Sequence, residues 1–152
     1  MKWYNGEKRI IMVRRLYCSH CKRLHTELPD AITPRKHYAT EIIENVVDDV
    51  STPDDTTTDT YPCERTMQRW KKWIANSRLL IDGYLKSIGS RLSASGVELL
   101  NVRDSLLQKL RDDGAGWLST VSRVIYNTGG WLSPARPHEI YAPALSSCPE
   151  PP

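Results

Sequence analysis

Residues 64–76 read ERTMQRWKKWIAN and form the most clearly amphipathic stretch of the chain. Four apolar residues recur there at helical spacing and share one face: Met67, Trp70, Trp73 and Ile74. The opposite face carries long polar side chains, namely Arg65, Gln68, Arg69, Lys72 and Asn76. The stretch therefore predicts a helix with one side buried in a core and the other side facing outward.

The pattern on both sides of this helix predicts further helices. Apolar residues return every three or four positions over residues 39–50, 78–93, 97–112 and 116–127. Upstream the pattern changes, because residues 8–17 combine basic and β-branched side chains and favour a strand. The prolines that follow them predict a turn region rather than a helix.

These elements predict an α+β fold that is mostly α. Residues 1–37 form a basic β module resembling a zinc knuckle, and residues 38–132 form a helical bundle. Within the bundle, residues 51–62 are an acidic, threonine-rich linker. Residues 133–152 are rich in proline and are expected to form a disordered tail.

Charge is distributed in blocks, although the net charge is only +3. Residues 1–37 carry nine Lys and Arg against three Asp and Glu. Residues 38–62 carry seven acids and no Lys or Arg, and residues 63–76 return to four bases against one acid. Two basic blocks around an acidic one favour a polyanionic partner over an ordinary solvated surface.

Cys18 and Cys21 form a Cys-x-x-Cys pair, the spacing at which a turn presents two thiolates to one zinc ion. His25 is the candidate third ligand, and either His20 or His37 is a candidate fourth, with no sequence argument to choose between them. The alternative is a pair of unligated thiols in a turn. The expectation is an incomplete zinc site and no other cofactor.

No catalytic pattern is present in the sequence. A redox Cys-x-x-Cys is expected at the start of a helix in a βαβ unit, whereas Pro29 and Pro34 follow this one. The chain has no P-loop, no Gly-x-Ser-x-Gly and no His-Glu-x-x-His. Its acids concentrate at a helix end and in a linker, so we expect no enzymatic activity.

The polar face of residues 64–76 is the candidate DNA-reading surface. A recognition helix needs an apolar face fixed to its neighbours and long donors that reach base edges and phosphates. The candidate DNA contacts are Arg65, Gln68, Arg69 and Lys72, with Arg14 and Arg15 from the amino-terminal basic block. The alternative is a surface helix whose charges are solvated.

Three stretches together resemble a known family. They are VRRLYCSHCKRLHTELPD at 13–30, Pro34-x-Lys36-His37-Tyr38, and TMQRWKKW at 66–73. Over residues 8–132 the chain resembles an uncharacterised bacterial family, a domain of unknown function found in small proteins linked to transposases and other mobile elements.

The resemblance implies a zinc ribbon and a DNA-binding helix. Members commonly carry a second Cys-x-x-Cys upstream and a helix-turn-helix-like segment ending in Thr-x-x-Arg-Trp-x-x-Trp. By that pattern Cys18 and Cys21 are metal ligands, and Arg69 and Lys72 contact DNA. This chain departs from the pattern because Met1 comes after the expected upstream pair, so we expect a truncated amino terminus.

The predicted function is sequence-specific or structure-specific binding of double-stranded DNA, associated with a mobile element. A transposase or another protein is a further expected partner. The alternative is an accessory subunit of a transposition or regulatory complex without DNA contact, in which Trp70, Trp73 and Trp117 pack against a partner protein. No apolar run approaches the roughly 20 residues that span a bilayer, so we expect a cytoplasmic protein without a membrane partner.

Overall fold

The structure is a computed structural model, and it describes residues 1–3, 7–55, 62–92 and 103–132. An antiparallel hairpin of β1 (Arg15–Tyr17) and β2 (Leu24–Thr26) comes first. The helices that follow are α1 (Thr40–Val47), α2 (Glu64–Leu92), α3 (Leu106–Asp112) and α4 (Trp117–Asn127). The prediction of a mostly helical α+β fold with a small amino-terminal β element is confirmed.

The amphipathic stretch 64–76 begins one long helix instead of forming a short one. α2 runs for 29 residues, so the prediction of a separate helix over 78–93 is wrong. The expected break is absent because residues 64–82 contain no Gly or Pro that would end a helix, and Ser77 at the expected break is buried. The apolar face therefore continues into the second half of the helix, where Ile81 and Ile88 are buried.

The core lies where α1 and α4 pack against α2. Its most deeply buried side chains come from all three helices: Ile43, Val46, Met67, Ile81, Leu118, Val121 and Ile125. Trp70, Trp73 and Trp117 are also buried in this core. These tryptophans therefore stabilise the chain's own fold and do not form an exposed partner surface.

A buried carboxylate of α1 starts α4. Glu44 is 4% exposed and accepts hydrogen bonds from the backbone N–H groups of Gly116 and Leu118, the latter at 2.8 Å. Gly116 occupies the N-cap position with φ at 93° and has no side chain that can cap the helix. Glu44 therefore caps α4 although it belongs to α1, and its negative charge interacts favourably with the positive end of the helix dipole.

Two further carboxylates link the remaining helices. Asp48, the C-cap of α1, accepts a hydrogen bond from Trp117 Nε1 at 2.6 Å and forms an ion pair with Arg111 of α3. Asp82 of α2 accepts a hydrogen bond from the Leu107 N–H at 2.9 Å and so caps the start of α3. Each link joins helices that are far apart in sequence.

The segment between the hairpin and α1 attaches the hairpin to the helices. The Leu28 N–H donates to Asn127 Oδ1 at the end of α4, at 2.8 Å. Tyr38 meets Trp70 edge to face, with ring centroids 5.2 Å apart. The segment that follows the hairpin is thereby fixed to α4 at one end and to α2 at the other.

Sequence patterns misplaced the β-structure. Within the predicted strand at 8–17 only Arg15–Tyr17 forms a strand, and β2 lies in the predicted turn region. Strands of three residues are too short to show a periodic pattern. Three predicted segments lie outside the described residues: 97–102 of a predicted helix, 56–61 of the linker, and the 133–152 tail.

Replacing Glu44 with Ala is expected to lower the free energy of unfolding by about 2–4 kcal/mol, because two N–H groups at a helix start lose their acceptor. Urea denaturation measures the change. Glu41→Ala is the matched control, because Glu41 is exposed on the same helix and its loss is expected to cost less than about 1 kcal/mol. Equal effects of the two substitutions would contradict the capping role.

Candidate metal centre and nucleic-acid interface

The turn between β1 and β2 presents the two cysteines. Beyond the last strand pair, the Cys18 N–H donates to the Arg23 carbonyl at 2.9 Å and closes the loop. Lys22 has φ at 55°, the left-handed conformation that lets the chain reverse direction after Cys21. The Cys21 N–H also donates to Cys18 Sγ at 3.4 Å. These bonds place both thiols on the inside of one tight turn.

A third donor joins the thiols from β2. His25 Nε2 lies 3.0 Å from Cys21 Sγ, and the donor atoms of Cys18, Cys21 and His25 all lie within 4.8 Å of one another. Donors bound tetrahedrally to one zinc ion lie roughly 3–4 Å apart, given metal–ligand bonds of about 2.0–2.3 Å. The spacing and the sulfur and imidazole chemistry therefore fit a zinc ion, so these residues form a candidate metal centre.

Within the described ranges the cluster has three protein ligands. In the part of the chain that the structure describes, no other His, Cys, Asp or Glu joins the three donors, so neither His20 nor His37 belongs to the cluster. Cys63 lies instead at the start of α2, where a hydrogen bond from the Thr66 hydroxyl lowers the pKa of its thiol. Among the described residues, the site thus has three protein donors.

The hairpin around this site is exposed and partly apolar. Its strand residues Leu16, Tyr17 and Leu24 are each at least half exposed, and His25 is exposed as well. Leu16 pairs directly with His25 across the two strands. The exposed apolar side chains therefore adjoin the metal ligands, a feature that the sequence pattern did not reveal because β2 was not predicted.

The polar face of α2 is exposed as the sequence predicts. Arg65, Gln68, Arg69 and Lys72 are all exposed, whereas Met67 and the tryptophans of α2 are buried. Lys71, at the flank of the same helix, forms an ion pair with Asp49. Among the described residues, by contrast, no carboxylate forms an ion pair with any of the three cations of this face.

The other candidate DNA contacts lie on the hairpin. Arg14 forms an ion pair with Glu27 at 2.9 Å, and Arg15 is exposed at the start of β1. On α2, the Gln68 side-chain amide donates to Glu64 at 2.8 Å. Of the six predicted contacts, two polar groups are thus engaged in local surface bonds, which DNA would have to replace.

The helices are not joined as in a helix-turn-helix motif at the predicted place. α1 ends at Val47 and α2 begins at Glu64, whereas that motif has a turn of about three or four residues. The described chain has one such short connection between α3 and α4, over residues 113–116. The exposed side chains of α4 include a single cation, Arg123, which pairs with Asp30.

The first part of the chain matches a family model. Residues 1–70 match the model of a family described as a domain of unknown function (DUF6431). The matched part includes the hairpin with its three metal-ligand candidates and the first turns of α2. No curated protein and no solved structure matches the chain. Among the described residues, no helix has the length and apolar character needed to cross a membrane.

The protein is expected to bind one zinc ion per chain through the hairpin. Cys21→Ser should weaken binding of zinc or of its spectroscopic substitute cobalt by about tenfold or more, since a thiolate ligand is lost. Chelation should increase hydrogen exchange at the amides of Cys18 and Cys21 but not in α2. Cys63→Ser is the control, and an equal loss of metal in that variant would place the site elsewhere.

Proposed function

We propose that this protein binds double-stranded DNA without catalysing a reaction, through the outer face of the first turns of α2. The observation that carries the proposal is the exposed set Arg65, Arg69 and Lys72, which finds no carboxylate partner among the described residues. The binding is specific for a sequence or for a DNA structure. The metal-holding hairpin provides a second, mainly electrostatic contact.

The three cations are spaced so that they repel one another. Positions 65, 69 and 72 lie four and three residues apart, and like charges at such spacings destabilise a helix by about 0.2–0.5 kcal/mol per pair. A row of phosphates removes this repulsion and releases condensed counterions on binding. A polyanion therefore gains more from this face than a neutral partner does.

The opposite face of the same turns holds the helix in place. Met67, Trp70 and Trp73 are buried, and their packing fixes the rotation of the helix about its axis. The cations therefore project outward in fixed directions. Gln68, which is exposed on this face, carries a side-chain amide of the kind that pairs with adenine in the major groove. Its present bond to Glu64 is a surface interaction and costs little to exchange.

The hairpin adds cations next to the metal centre. Arg14 and Arg15 precede the turn, and Lys22 and Arg23 lie within it, all exposed. A zinc ion stabilises this short hairpin, because strands of three residues are marginal on their own. The proposed role of the hairpin is to contact phosphates beside the groove that α2 enters.

The proposal assigns no catalytic role to the two acids that face α4. Glu44 and Asp48 each accept hydrogen bonds that hold α4, so they are engaged in the fold. The association with a mobile element, and with a transposase as partner, comes from the family resemblance described above. Element ends or a promoter are the DNA targets to test.

One observation favours a second candidate function, an accessory subunit that binds a protein. Leu79 is 86% exposed and Leu80 is 45% exposed, further along the outer face of α2. Exposed leucines next to a basic stretch are typical of a protein-binding surface. Co-purification of a partner without affinity for DNA would favour this candidate.

Replacing both Arg69 and Lys72 with Ala is expected to weaken binding to duplex DNA and to reduce the salt slope of the logarithm of the binding constant by about 2, one unit per lost phosphate contact. Fluorescence anisotropy at several salt concentrations measures both quantities. The fold should stay intact, because both residues are exposed.

Lys71→Ala is the matched control, because Lys71 is adjacent in sequence but already paired with Asp49. Lys71→Ala should change the salt slope of DNA binding by less than Lys72→Ala alone does. Unchanged DNA binding by the double variant, with its fold intact, would rule out this face as the reading surface.

A further inference from the structure

We propose that a second copy of this chain completes the hairpin metal centre, with the partner's His20 as the fourth ligand. The inference rests on the metal-holding hairpin of the proposed function. It goes further by assigning a fourth ligand and a two-fold assembly.

The first observation is the incomplete donor set. Cys18, Cys21 and His25 converge within 4.8 Å, and no fourth donor among the described residues joins them. Structural zinc sites are almost always closed by four protein ligands. A zinc site that stabilises a hairpin is therefore expected to have one more protein ligand.

The second observation is the position of His20. It lies in the turn between the two cysteines, is exposed, and does not belong to the cluster formed by its neighbours. An imidazole is a good zinc ligand, but the imidazole of His20 does not join the metal site of its own chain. A two-fold contact between the turns is reciprocal, so in the proposed assembly each copy supplies its His20 to the site of the other.

The third observation is the apolar surface beside the site. Leu16, Tyr17 and Leu24 are at least half exposed on the strands that carry the ligands. A second hairpin covers this surface on both copies with the same residues, as an isologous contact requires. A bound water or a small thiol as the fourth ligand would leave this apolar surface exposed.

Charge gives the assembly a recognisable signature. Each turn also carries Lys22 and Arg23, so two turns that approach each other repel. Added salt screens this repulsion and strengthens the dimer. The same salt weakens DNA binding, so the two interactions respond in opposite directions.

The test is sedimentation equilibrium of the full chain with and without one equivalent of zinc, at low and high salt. The chain is expected to be monomeric with chelator and dimeric with zinc, and the dimer should tighten as salt is added. His20→Ala should weaken dimerisation by about tenfold or more while zinc still binds. His37→Ala, which alters another exposed histidine outside the cluster, should dimerise like the natural chain.

A mixing experiment tests whether the ligand comes from the other copy. His20→Ala retains the three donors, and the double variant Cys18→Ser with Cys21→Ser retains His20. Their mixture should restore the cobalt ligand-field spectrum of the natural chain, which neither variant gives alone.

A monomer that binds zinc at every concentration, or a His20→Ala chain with an unchanged cobalt spectrum, would overturn the proposal. Failure to bind any metal would overturn it together with the metal part of the proposed function. The DNA salt slope of the α2 variants is measured independently of both results.

Discussion

The Glu44 carboxylate is the contact on which the arrangement of the helices depends. It is buried, and it accepts hydrogen bonds from the Gly116 and Leu118 N–H groups, so α1 supplies the N-cap that α4 lacks. An uncompensated carboxylate in that position would be costly, and so would the unpaired N–H groups. The two requirements are met only when α1 and α4 lie in one relative position. That position fixes the surface against which the tryptophans of α2 pack.

The outer face of α2 was predictable, and the length of the helix was not. Buried and exposed positions recur with the helical period within a short stretch of sequence. The spacing of Met67, Trp70 and Trp73 therefore identified the buried side correctly. The length of the helix depends also on packing of its second half, where Ile81 lies in the core. The role of Glu44 was equally hidden, since its partners lie more than seventy residues away and their positions follow from packing.

The metal centre was predictable from spacing, and its surroundings were not. Cys18 and Cys21 are recognisable as a pair, and His25 follows at a distance that a hairpin brings back to them. The hairpin itself was missed because its strands have three residues each. Charge counting was also only partly informative. Lys36 lies over the ring of Trp73 at 4.5 Å, and burial lowers the pKa of its ammonium group, so part of the amino-terminal charge serves packing and not a partner.

The distance in sequence between Glu44 and its partners also bears on the order of synthesis. The chain leaves the ribosome from its amino terminus, so α1 emerges long before residues 116–118 exist. Until then the Glu44 carboxylate has no backbone N–H to accept from α4, and it must remain hydrated. The nascent chain therefore cannot close its core around α1 early, and the final docking step waits for α4. A messenger RNA that ends before codon 118 would yield a chain in which the Glu44 carboxylate of α1 lacks its α4 partners and stays hydrated.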